Sequence, residues 1–246
     1  MSKGSESLVK ASRRQLLKSA LLGGAAVTGG LPLMVNGETK TPAALPVNSG
    51  PEAPPKGYVF LTPSEASFVE ALADHMVPAD ALTPSGVALG IPVYIDRALA
   101  GSWGKGDRLY LQGPWQKGLA TQGYQLPLTP SQLYRAGIAA TNSYCRKSFG
   151  KTFDALDSLQ KEAVLKDLSA DKISFEDDLS PKVFFAAVYQ TVVEGLFADP
   201  IYGGNADKAG WKMVGFPGVI ATNAQNIIKF KNKKYIGPTL DIADAS

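Results

Sequence analysis

The sequence predicts an all-α fold, an irregular helical domain of about five main helices joined by long loops. Three observations point to it. Helix-start signals with Pro in the first turn recur at Thr62-Pro63-Ser64-Glu65, Thr129-Pro130-Ser131-Gln132 and Ser180-Pro181. Apolar residues behind these starts return at helical rather than strand spacing. Few runs show the period-two alternation that a half-buried strand needs.

The first helix starts at the Thr62 capping box. Phe68, Val69, Leu72 and Met76 form its inner face, and Pro78 stops it. A short helix is expected over 92–99, with Val93, Ile95 and Leu99 inward. The third follows Thr129 and carries one long face through Leu133, Gly137, Ile138, Thr141, Cys145 and Phe149. A fourth is expected over 158–168, with Val164, Leu165 and Leu168. The fifth opens at Ser180-Pro181 and runs to Phe197 through Phe184, Val188, Val192 and Leu196.

Four segments flank and include this domain. Residues 1–37 read as an export signal. Ser12-Arg13-Arg14-Gln15-Leu16-Leu17-Lys18 precedes an uncharged, modestly apolar stretch, the layout of a twin-arginine signal built on Arg13 and Arg14. Residues 38–57 form a Pro-rich linker containing Pro42, Pro46, Pro51, Pro54 and Pro55. Residues 58–225 form the helical domain, and 226–246 a basic surface tail.

Composition excludes several classes. Hydrophobic residues make up 45% of the 246, enough to fold a core. The net charge of +3 is concentrated at the start. Residues 1–37 hold five basic residues and one acid, so the remainder has 20 basic against 21 acidic residues. A nucleic-acid-binding domain loses its main support. One cysteine, Cys145, leaves no internal disulfide, Cys-rich zinc site, iron–sulfur cluster or C-x-x-C-H haem attachment. One histidine, His75, leaves no multi-histidine metal site. Gly101, Gly104 and Gly106 have the wrong spacing for a dinucleotide loop.

The remaining polar candidates carry two readings each. His75 is either an acid–base group with Asp74 or Asp96, or a residue near a helix C-terminus that favours its cation. Cys145 reads as a small buried residue. The acidic run Glu176, Asp177, Asp178 reads as a cation site or a solvated loop. Lys229, Lys231, Lys233 and Lys234 suit anionic lipid, an acidic partner or plain solvation.

The segment 199–218 differs from all of these. It holds many glycines beside Tyr202, Trp211 and Phe216 and shows no helical or strand periodicity of its own. One reading is a docking surface, with aromatic contact area and glycines that admit a partner backbone. The other is an ordered loop folded over its own helices. The docking reading places contacts on Tyr202, Gly203, Gly204, Asn205, Trp211, Phe216 and Pro217.

Asp199-Pro200-Ile201-Tyr202-Gly203-Gly204-Asn205, followed by Gly210-Trp211 and Gly215-Phe216-Pro217-Gly218, resembles the signature of gluconate 2-dehydrogenase subunit 3. The resemblance extends to the opening Leu61-Thr62-Pro63-Ser64-Glu65-Ala66, the prolines around Pro78 and the helix over 189–197. It implies a non-catalytic small subunit working beside an FAD-containing flavoprotein of the glucose–methanol–choline type and a multihaem cytochrome c. The partner oxidises a sugar or sugar acid. This chain would hold no cofactor and no metal, FAD and haem c belonging to the partners. It would assist maturation and stability of the flavoprotein and its twin-arginine export to the periplasm, where the complex associates with the membrane. Two rival readings stand beside it. One is a stand-alone periplasmic enzyme with His75, Asp74 and Asp96 in a pocket. The other is a small-ligand-binding module.

Overall fold

The structure is a computed structural model that describes residues 57–116, 118–119, 126–175, 179–219 and 223–245. The export signal with Arg13 and Arg14, nearly all of the linker and the acidic run 176–178 lie outside these residues. Among the described residues the regular structure is eight α-helices, without a strand. The all-α expectation holds.

Helix α1 (Pro63–Met76) begins on the predicted capping box. The Thr62 side chain accepts from the Glu65 N–H, and the Glu65 side chain accepts from the Thr62 N–H. It buries Phe68, Val69 and Leu72. Helix α2 (Ile91–Ala100) buries Ile91, Ile95, Asp96 and Leu99. The single turn α3 (Ser102–Lys105) follows directly. Helix α4 (Pro130–Phe149) starts on the Thr129–Gln132 box, buries Leu133, Tyr134, Ile138 and Cys145, and stops at left-handed Gly150. Helix α5 (Ser158–Ser169) is capped by Asp157, which the sequence reading left unassigned. Helix α6 (Pro181–Phe197) is capped by Ser180 and buries Phe184, Val188, Thr191 and Val192. Two short helices, α7 (Ala209–Val214) and α8 (Ala224–Lys229), complete the set.

The core forms where α1, α4 and α6 meet. The Phe68 ring lies 4.7 Å from Phe153 and 6.4 Å from Phe184, and Tyr134 meets Phe184 edge-on at 6.1 Å. Such tilted and edge-on pairs are favoured by the ring quadrupoles. The buried Tyr134 hydroxyl pairs with Thr191 on α6. Burial pushes that phenol well above its ordinary range. Asn142 accepts from the Phe153 N–H at 3.0 Å and so ties the segment after α4 back onto it.

Asp96 does a comparable job for the segment that enters α1. Its two oxygens accept the N–H groups of Val59, Phe60 and Leu61 at 2.8, 2.9 and 2.8 Å. Three donors satisfy a carboxylate that is almost fully buried. Arg135 then closes over Phe60, 4.5 Å from the ring centre.

Candidate functional site

The segment 199–218 folds onto the ends of α2 and α6. Asp199 caps its first turn, accepting from the Ile201 N–H at 3.1 Å. A 3-10 turn, Pro200–Tyr202, leads to Gly203. Gly204 then passes so close to α6 that a Cβ there would lie 2.3 Å from the Gly195 carbonyl oxygen. Gly210 sits in the same way against Leu196, with 2.2 Å to its carbonyl oxygen. Both glycines are needed because backbone meets backbone, with no room for a side chain.

Asn205 is the internal fastener. It is 0% exposed and adopts a left-handed conformation, φ 49°. Its Nδ2 donates to the Ala198 carbonyl at 2.9 Å, and its Oδ1 accepts from the Gly210 N–H at 2.8 Å. The next N–H, of Ala206, donates to the Leu89 carbonyl at 3.0 Å and so reaches the start of α2. Asp207 and Lys208 are left-handed too, which turns the chain sharply into α7.

Trp211, on α7, is 6% exposed. Its indole N–H donates to the Phe197 carbonyl at 2.7 Å, satisfying an open end of α6. The Phe216 ring stands edge-on to it at 5.3 Å. Pro217 accepts from the Leu240 N–H at 3.1 Å, and Val219 donates to the Leu240 carbonyl at 2.9 Å. A C-terminal strap therefore docks on the loop. Lys208 holds it through Asp241 at 3.2 Å and Asp244 at 2.5 Å. The Lys208 ammonium keeps the Asp244 carboxyl below its ordinary range. The second oxygen of Asp199 accepts the Ile242 N–H at 3.0 Å.

The predicted contact residues thus divide into three groups. Gly204, Asn205 and Trp211 are buried and hold the loop together. Gly203 and Pro217 are partly covered. Tyr202, at 57% exposure, and Phe216 face outward. Sequence reasoning missed Ile201, Met213 and Val214 in the same segment, which are also exposed. The loop reading and the docking reading are both visible in one element, an interior of anchors and an exterior of large apolar groups.

An open groove of about 620 Å³ runs beside Ile201 and Tyr202, walled by Tyr94, Arg97 and Glu194. The Tyr94 hydroxyl donates to Glu194 at 3.3 Å. Burial and that neighbouring carboxylate push the Tyr94 phenol up to about 12.

The residues of the stand-alone enzyme reading do not come together. His75 Nε2 lies 3.0 Å from Glu162 Oε2 on α5. Asp74 accepts from the Val87 N–H at 2.7 Å, and Asp96 is spent on three backbone donors. Cys145 is buried, and burial pushes its thiol up to about 11. Among the described residues no group of His, Cys, Asp and Glu is arranged to hold a metal ion.

A family model described as gluconate 2-dehydrogenase subunit 3 matches residues 63–218, well over half of the chain. The chain belongs to the gluconate 2-dehydrogenase subunit 3 family. The match begins at the first residue of α1 and ends at Gly218, where the loop meets the strap. The family is named for a subunit of a gluconate 2-dehydrogenase complex, so its members work beside other chains. No curated protein and no solved structure matches this chain. Among the described residues no helix is long and apolar enough to cross a membrane.

Proposed function

We propose that this subunit-3 chain is the non-catalytic escort and stabiliser of an FAD-containing dehydrogenase large subunit. It supports maturation of that flavoprotein and its twin-arginine export to the periplasm. The flavoprotein oxidises a sugar or sugar acid and passes electrons to a multihaem cytochrome c, which completes a membrane-associated complex. FAD and haem c belong to these partners.

The observation that carries the reading is the family-matching loop. Buried Asn205 and Trp211 hold it rigid, while Ile201, Tyr202, Val214 and Phe216 stay outside. A face ordered before binding loses little entropy on docking. Exposed aromatic anchors supply most of the contact energy in such interfaces. A subunit that binds only the folded flavoprotein shifts it toward that state by mass action.

The test is purification from native periplasmic and membrane fractions through a tag on Ser246. Flavin and haem absorption with larger partner bands is the expected result. The double variant Tyr202→Ala/Phe216→Ala should keep the fold and lose partner recovery by about tenfold. Trp211→Ala would disturb the loop itself, so it is the poorer reporter. A colourless chain eluting alone overturns the escort reading. Full recovery by the double variant removes this face from the interface.

A further inference from the structure

We propose that residues 223–238 form a basic, isoleucine-tipped knuckle that binds the surface of an anionic lipid bilayer. The knuckle lies beyond residues 63–218, so it is not part of the family match. It is held together by its own hydrogen bonds and ring contact. Its base is closed where Val219 donates to the Leu240 carbonyl and Leu240 donates to Pro217. Inside it, the Asn223 side chain donates to the Val219 carbonyl at 3.0 Å and accepts from Asn226 at 2.8 Å. Helix α8 then ends in a tight turn at left-handed Asn232, and the Phe230 and Tyr235 rings pair edge-on at 5.1 Å.

What this frame presents is unusual for a solvated surface. Ile227, Ile228 and Ile236 are 71%, 75% and 81% exposed. Lys229, Lys231, Lys233 and Lys234 lie between them along the chain, and the sequence from 223 to 238 contains no acid. Among the described residues none of the four ammonium groups lies within ion-pair distance of a carboxylate. The next acids along the chain, Asp241 and Asp244, are held by Lys208.

The mixture of chemistries selects the partner. An acidic protein surface would match the lysines and leave three isoleucines in water. The headgroup region of an anionic bilayer takes both. Ammonium groups reach the phosphates on flexible stems, and branched alkyl groups enter the acyl boundary. Each lysine near such a surface raises partitioning about fivefold at moderate salt.

The test uses the full chain with vesicles of phosphatidylglycerol and phosphatidylcholine, and with phosphatidylcholine alone. The apolar stretch over 19–37 is present in every variant, so only differences are read. Lys229→Gln/Lys231→Gln/Lys233→Gln/Lys234→Gln should lose roughly 600-fold in affinity for the anionic vesicles. Ile227→Ser/Ile228→Ser/Ile236→Ser should lose about tenfold and keep the salt dependence. An environment-sensitive dye on Ile228→Cys should shift to the blue on anionic vesicles only. Cys145 stays unlabelled because it is buried.

Equal vesicle binding by wild type and both variants overturns the proposal, as does an unshifted dye. Unchanged vesicle binding of the lysine variant with loss of a partner protein overturns it in favour of an acidic protein surface. None of these vesicle readings depends on the dehydrogenase partner.

Discussion

Asn205→Ala measures how firmly the loop is held from within. The change removes two hydrogen bonds, one from the Gly210 N–H and one to the Ala198 carbonyl. Gly210 is buried, so its N–H loses its partner with no water to replace it. A stranded buried donor costs about 1–3 kcal/mol. Ala198 is only partly covered and adds less. Alanine must also take the left-handed conformation that Asn205 adopts, which costs about 1 kcal/mol. The sum is about 3 kcal/mol, or a fall in Tm of roughly 6–12 °C for a chain of this size. Asn205→Gly loses the same bonds without the left-handed penalty, so it should recover about 1 kcal/mol of the loss. Thermal unfolding of the full chain by circular dichroism, in one buffer and at one scan rate, reads both variants. A shift below about 2 °C for the alanine variant would refute the anchoring role. A glycine variant no more stable than the alanine one would remove the conformational part of the reasoning.

Three further outcomes follow from the same geometry. Asp96→Ala strands the N–H groups of Val59, Phe60 and Leu61, and its urea midpoint should fall by an amount worth at least about 3 kcal/mol. Asp96→Asn keeps acceptor capacity and should lie between the two. Gly204→Ala puts a methyl group against the Gly195 carbonyl and should cost about 1–3 kcal/mol, with faster amide exchange over 203–210. The strap responds to pH at its Lys208–Asp244 pair. Asp244 is depressed in the folded chain, so its contribution is complete above the ordinary carboxylate range and is lost as pH falls through the depressed value. Amide protection at Asp241, whose N–H donates to Asp244 Oδ2 at 3.0 Å, should therefore hold at neutral pH and drop below about pH 4. Protection unchanged into strong acid would remove the ion pair from the strap's anchorage.

Much of the helical frame was legible because its signals are local. Thr62 with Glu65 and Thr129 with Gln132 are read within four residues, and the structure places helix starts on both. Ser180 with Pro181 is equally local. The short helices α3, α7 and α8 have four to six residues each, too few for a period to show. Glycines within α3 and α7 hid them further. The inside of the loop was illegible for a different reason. Asn205 gains its role from Ala198 and Gly210, and Trp211 from Phe197, and those partners meet only once the chain turns back on α6. An asparagine after two glycines was the one available hint of a left-handed turn. Asp96 is the clearest case of a distant cause. Its partners lie 35 to 37 positions earlier, and no spacing rule connects them. His75 likewise meets Glu162 across 87 positions rather than its neighbour Asp74.

The strap sets an order of events during synthesis. Asp199 and Lys208 are synthesised before their partners over 240–244. Domains made from the N-terminus onward condense as segments emerge. Helices α1 to α6 hold all the partners their core requires before the strap exists. The apolar face around Tyr202 and Phe216 gains its last ties only when Leu240, Asp241, Ile242 and Asp244 arrive. A protein that docks on this face in its finished form is therefore reading a chain whose translation has passed residue 244.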